Sequence, residues 1–141
     1  MNNRRKLIVA LGASALAAPF ASFAQQPAKM PRVGVLLFGT PENDRNLHAF
    51  RDGLRQLGYI EGQNIVLEFR YADSKAERLP ALASELVNLQ PNVIFVLGGD
   101  VAPFARAATA TIPVVMSVSV DPVQTQLVAS LARPGGNMTG V

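Results

Sequence analysis

Small and polar residues recur where apolar runs end. Gly39 and Thr40 follow "RVGVLLF", Gly98, Gly99 and Asp100 close "VIFVLGGD", and Ser117, Ser119 and Asp121 punctuate "MSVSVDP". Glycine lets a backbone N–H approach a ligand closely, and hydroxyls and carboxylates add directed hydrogen bonds, so these positions suit the holding of a small polar molecule. Each also has a local use. The glycines serve a tight turn, the serines can satisfy nearby backbone, and Asp100 and Asp121 are placed to cap the helices that follow. Capping and ligand contact are compatible.

Groups for making and breaking bonds are lacking. The single histidine, His48, falls in the middle of a helical pattern and reads as exposed, with no nucleophile beside it. Cysteine is absent, and neither a His/Cys metal spacing nor a G-x-S-x-G elbow occurs. "GGD" lacks the G-x-G-x-x-G order, and no G-x-x-x-x-G-K-[ST] is present, so no phosphate cradle can be drawn. A receiver-type domain needs acidic residues where this chain has Phe38, Gly39 and Thr40. The expectation is ligand binding without catalysis, metal or cofactor.

The elements that would carry these residues alternate. "RVGVLLF", Arg32 to Phe38, is almost continuously apolar, as a strand covered on both faces must be. From about Glu42 the spacing becomes helical: Leu47, Phe50, Leu54 and Leu57 share one face, and Asp44, Arg45, Arg51, Asp52 and Arg55 the other. Gly58 sits where a left-handed cap ends a helix. Ile65 to Tyr71 alternates apolar with Glu68 and Arg70, which marks an edge strand.

The pattern then repeats. Asp73 or Ser74 can cap a helix carrying Leu79, Leu82, Leu86 and Leu89. Val93 to Asp100 reads as a second apolar strand running into two glycines, Val101 to Ala110 as an alanine-rich helix, and Val114 to Ser117 as a fourth strand. Asp121-Pro122 opens a further helix by the cap-then-proline rule, ending near Arg133, and "MTGV" begins a fifth strand. The expected fold class is α/β: a three-layer open parallel sheet, order 2-1-3-4 with an incipient fifth strand, helices on both faces, and right-handed crossovers. The crevice of such a sheet opens at the carboxyl ends of the first and third strands, where the glycines and serines lie.

Residues 1–24 read as a cleavable export signal: Arg4, Arg5 and Lys6, an apolar run from Leu7 to Phe20, then Ser22-Phe23-Ala24. Arg4-Arg5 also resembles the twin-arginine pattern, leaving the Sec and Tat routes open. The thirteen Lys and Arg less these three leave ten, against ten Asp and Glu, so the mature part is formally neutral. Nucleic-acid binding loses its electrostatic basis. Residues 25–31 suit a flexible linker, and the lack of cysteine fits a periplasmic location.

Three segments carry a family resemblance: "GLRQLGYIEGQN" (Gly53 to Asn64), "ADSKAERLPALASELV" (Ala72 to Val87) and "DPVQTQLVASLARPGGNMTGV" (Asp121 to Val141). In this order they resemble the substrate-binding proteins of ABC transporters, in the group associated with tryptophan or tyrosine uptake, from about Arg32 to Val141. The resemblance implies a two-lobed clamshell of periplasmic-binding-protein type I, non-enzymatic, with a small-molecule solute and a membrane ABC permease as partners. Residues 32–141 would form the first lobe, with "GGNMTGV" approaching the interlobe hinge and the second lobe missing. Relatives tend to carry a small uncharged residue at the position of Asp100, which leaves the ligand type open, an amine-bearing solute being one that its charge would favour. Weak or no binding, and self-association through an exposed sheet edge, are expected of such a truncated lobe. A self-sufficient flavodoxin-like sensor or interaction domain is the alternative.

Overall fold

The computed structural model describes residues 29–98, 100–117 and 119–140, so the export signal read at 1–24 lies outside the described residues. β1 (Arg32–Leu37), second in the sheet, is buried from Val33 onward, with a strand on each side and a helical layer over each face. β2 (Val66–Tyr71) and β3 (Val93–Leu97) flank it, and both pairings are parallel. β4 (Val114–Ser117) pairs with β3, and β5 (Met138–Gly140) with β4, also in parallel. The resulting order is β2-β1-β3-β4-β5. The apolar runs placed the inner strands correctly, and the alternating run is the edge. The incipient fifth strand is formed.

Pleating divides β1 between two cores. Val33, Val35 and Leu37 face α1 (Arg45–Gln56), which contributes buried Leu47 and the packed Phe50 and Leu54. Phe50 stacks on Phe95 of β3, ring centroids 4.6 Å apart. Leu36 faces the other way, into a core shared with Ile94, Val96, Val114 and Met116. α2 (Leu79–Asn88) and α3 (Ala102–Ala108) cover this side through Leu79, Leu86, Ala102 and Ala105. The arrangement is three-layered, with helices on both faces of the sheet.

β2 shows why an edge strand alternates. Leu67, Phe69 and Tyr71 pack toward the α1 core, while Arg70 on the opposite face bonds through Nε to Glu85 of α2 at 2.9 Å. Arg51 of α1 lies over the Phe69 ring at 4.6 Å. Its Nε also faces the Glu61 carboxylate at 3.3 Å, close enough for an ion pair though not aligned as a hydrogen bond.

The helix ends are less regular than periodicity implied. A 3₁₀ turn at Pro41–Asn43 precedes α1, which starts at Arg45 because Asp44 caps it. Asp44 Oδ1 accepts from the N–H of Asn46 at 2.9 Å and of Leu47 at 3.3 Å. At the other end Gly58, φ 88°, donates to the Arg55 carbonyl, and Tyr59 donates to that of Leu54, which completes a Schellman motif. Leu57, expected on the apolar stripe, is 76% exposed at the cap. Asp73 and Ser74 do not cap α2. Both adopt left-handed backbone, φ 53° and 61°, in the turn after β2, and Asp73 pairs with Arg78.

Two further expectations fail locally. α3 begins at Ala102 without a side-chain cap, so Asp100 does not serve it. The helix read from Asp121 to Arg133 is a single turn. Asp121 Oδ1 does accept from Val123 N–H at 2.8 Å and Gln124 N–H at 3.3 Å, as a cap should. Then Gln126 takes φ 59°, and the N–H groups of Leu127 and Val128 both return to the Pro122 carbonyl. A short helix relies on an apolar surface along its whole stripe. Here Leu127 and Val128 are buried, whereas Val123 and Leu131 remain 37% and 74% exposed. Without that surface the turn does not propagate.

Candidate functional site

Because every strand is parallel, the carboxyl ends of β1, β3 and β4 open on one rim. The chain leaves β1 toward β2 and leaves β3 toward β4, so the crossovers diverge there and a crevice results. A groove of about 310 Å³ occupies it. Phe38 and Gly39 border it from the end of β1, and Leu97 and Gly98 from the end of β3. Ser117 and Ser119 border it after β4, and Asp44 and Asn46 from the start of α1.

Four residues singled out from sequence therefore meet: Gly39, Gly98, Ser117 and Ser119. Thr40 precedes the 3₁₀ turn in extended backbone and is not part of the lining. Asp100 and Asp121 are exposed and off the groove. Gly99 lies outside the described residues.

The glycines act differently from each other. Gly98 has φ 106°, which side-chain-bearing residues rarely adopt, and its N–H donates to the Ser117 carbonyl at 2.9 Å. That N–H extends the β3–β4 ladder and is not free for a ligand. A Cβ added at Gly39 would meet nothing within 4 Å, so open space lies above it. Backbone carbonyls here are also engaged: Phe38 O accepts from Ser74 N–H at 2.7 Å and Gly39 O from Asp73 N–H at 3.3 Å. These bonds tie the loop after β2 to the floor of the rim.

Sequence reasoning missed Phe38, Asp44, Asn46 and Leu97. Phe38 is 40% exposed, an aromatic surface at the mouth of the groove. Its signal was an aromatic at the end of the first apolar run, directly before Gly39 and Thr40. Asp44 was read only as a member of the polar helix face, and Asn46 was not singled out. Asp44 also adds to the upward push on the Tyr71 hydroxyl, whose pKa is raised above 10.0 chiefly by burial, against the lowering influence of Arg51.

The groove offers hydroxyl, amide and carboxylate groups beside one aromatic ring. No group of His, Cys, Asp and Glu among the described residues could hold a metal ion. Other depressions lie elsewhere: one of about 240 Å³ over Leu54, Ile65 and Leu67, and one of about 510 Å³ beside the 126–138 loop. Neither touches the strand ends where the crossovers diverge. No helix among the described residues is long and apolar enough to cross a membrane.

The chain as a whole is similar to known proteins. The family model described as "ABC transporter substrate binding protein" matches residues 33–141. The tyrosine-binding protein of Clostridioides difficile (strain R20291) is 33% identical over 113 residues, 79% of this chain and 33% of that protein. The chain thus spans about a third of that relative's length. Among solved structures, a conserved domain protein from Vibrio cholerae superposes with a TM-score of 0.74 at 32% identity. An ABC domain in complex with L-Trp from Streptococcus pneumonia gives 0.73 at 29%. A ligand-free, open substrate binding protein with adhesive properties from Clostridium difficile gives 0.72 at 29%. In each case 79% of this chain aligns with 38% of the other.

Proposed function

This chain belongs to the ABC transporter substrate binding protein family, and from that premise we propose that its sheet supplies one wall of a cleft that captures an amino acid for a membrane importer. The observation that carries the reading is the groove at the ends of β1, β3 and β4, bordered by polar groups and the exposed Phe38 ring. The relatives named for tyrosine and solved with L-Trp support an amino acid as the solute. The facing wall is assigned to a second lobe, in keeping with relatives of which this chain covers only 33% to 38%. Closure between lobes excludes water and adds the second half of the contacts, which is the source of affinity in hinged binding proteins.

The remaining parts of the reading follow. The protein is exported by the leader at 1–24 to the periplasm, presents its solute to an ABC permease, and performs no chemistry on it. Calorimetry of the 141-residue chain with L-tyrosine and L-tryptophan tests the one-walled cleft. We expect a dissociation constant of about 1 mM or weaker, since one wall supplies only part of the contacts. Micromolar binding by this chain alone contradicts it.

Self-association belongs to the same reading. β2 guards its edge with Glu68 and Arg70, whereas β5 has the neutral residues Met138, Thr139 and Gly140, the last two exposed. Pairing of β5 with a second copy should raise the sedimentation coefficient with concentration. A single monomeric species up to the solubility limit contradicts it.

A further inference from the structure

We propose that Asp44 selects the solute, restricting the groove to ligands that carry a protonated amine; this deepens the solute-binding reading above and rests on it. Among the described residues bordering the groove, Asp44 is the one ionisable side chain, and no described Lys or Arg borders it. The wall therefore presents a single negative charge. An ammonium group is attracted to it, while a ligand bearing only carboxylate or phosphate meets like charge with no cation to offset it.

The carboxylate has capacity to spare. Its Oδ1 is occupied by the N–H groups of Asn46 and Leu47. Among the described residues, Oδ2 enters no hydrogen bond or ion pair. The neighbours complete a donor-matched site: an ammonium has three N–H donors, and the Asn46 amide oxygen and the Ser117 and Ser119 hydroxyls can accept beside the carboxylate. Phe38, 40% exposed, adds a ring face that favours a cation and the apolar body behind it. Asp100, the residue to which sequence comparison attached amine preference, is exposed and off the groove. The structure transfers that role to Asp44.

Asp44 also caps α1, so its removal must be designed to spare the helix. Asparagine caps as well as aspartate does, and Asp44→Asn removes the charge while keeping the Oδ1 acceptor. The experiment is an amide-resolved NMR titration of the full chain and of Asp44→Asn with L-tyrosine, tyramine and 3-(4-hydroxyphenyl)propionate, with thermal melts of both proteins alongside. L-Tyrosine and tyramine should shift the Gly39 and Ser117 amides, and the propionate, which lacks the amine, should bind more weakly. In Asp44→Asn, both amines should weaken about fivefold to tenfold, with the propionate unweakened and the melting temperature held. Equal binding of the amines by both proteins, or propionate binding as tight as that of L-tyrosine, overturns the role of Asp44 while leaving the groove as the solute site. If none of the three ligands shifts the groove amides, the solute-binding reading fails, and the selection by Asp44 fails with it.

Discussion

Leu86 of α2 is fully buried, and its two methyl carbons lie where a side chain on Gly34 of β1 would go. A Cβ built on Gly34 sits 3.2 Å from one Leu86 methyl, 3.5 Å from the other, and 3.5 Å from Ile94 Cγ1. The pair behaves as knob and slot, which makes it suitable for a double-mutant cycle. Leu86→Ala deletes three carbons, about 2.4 kcal/mol of transfer free energy at about 0.8 kcal/mol each. The sheet beneath is held on both sides and collapses little, so a cavity contribution brings the cost to about 3–4 kcal/mol. Gly34→Ala crowds Leu86 by a few tenths of an ångström and should cost about 1 kcal/mol, partly offset by the smaller backbone entropy of alanine in the unfolded chain. Combined, the alanine methyl enters the space Leu86 vacates. The double variant should therefore be about 1–2 kcal/mol more stable than the sum of the single changes implies. Urea unfolding followed by circular dichroism, with m-values compared to confirm a common transition, measures the cycle. Additivity within about 0.5 kcal/mol would refute the packing of α2 against Gly34 on which the second core is built.

Two other consequences concern a helix end and a titrating group. Gly58→Ala meets no atom within 4 Å, so its entire cost comes from holding φ 88°, about 1–2 kcal/mol by urea unfolding; an unchanged midpoint would remove the Schellman account of the α1 terminus. The Tyr71 hydroxyl titrates above 10.0 because burial disfavours the phenolate, which makes its contribution full below the unfolded value and lost as pH rises through the folded one. Stability should fall above pH 10 in wild type and less so in Tyr71→Phe, and the ultraviolet titration of a Tyr59→Phe variant should report the raised value directly. A Tyr71 phenol that ionises below 10.0 contradicts its burial beside Phe69.

What could be read from the amino-acid order was the part governed by burial. Continuous apolar runs at Val33 to Leu37 and Val93 to Leu97 can only be interior strands, and the alternation from Val66 to Tyr71 only an edge, so the topology followed. Gly58 was equally legible, since its left-handed backbone is a local requirement. The helix begun at Asp121 was not, because its cap formed as read while its continuation depended on an apolar surface that Val123 and Leu131 do not find. The groove was legible at the ends of strands, giving Gly39, Gly98, Ser117 and Ser119, and illegible where loop direction decides membership. Asp100 and Asp44 illustrate the limit. Each stands one or two residues from a helix start, yet only Asp44 caps its helix and borders the groove.

A map of backbone amide shifts on adding L-tryptophan at millimolar concentration probes the central claim without a variant. If the ends of β1, β3 and β4 form a ligand wall, the changes should be graded with concentration and concentrated at Phe38, Gly39, Asn46 and Ser117, leaving the 126–138 loop and the Leu54–Leu67 depression unaffected. Changes confined to either of those depressions, or their absence from the strand ends at saturating ligand, would contradict it.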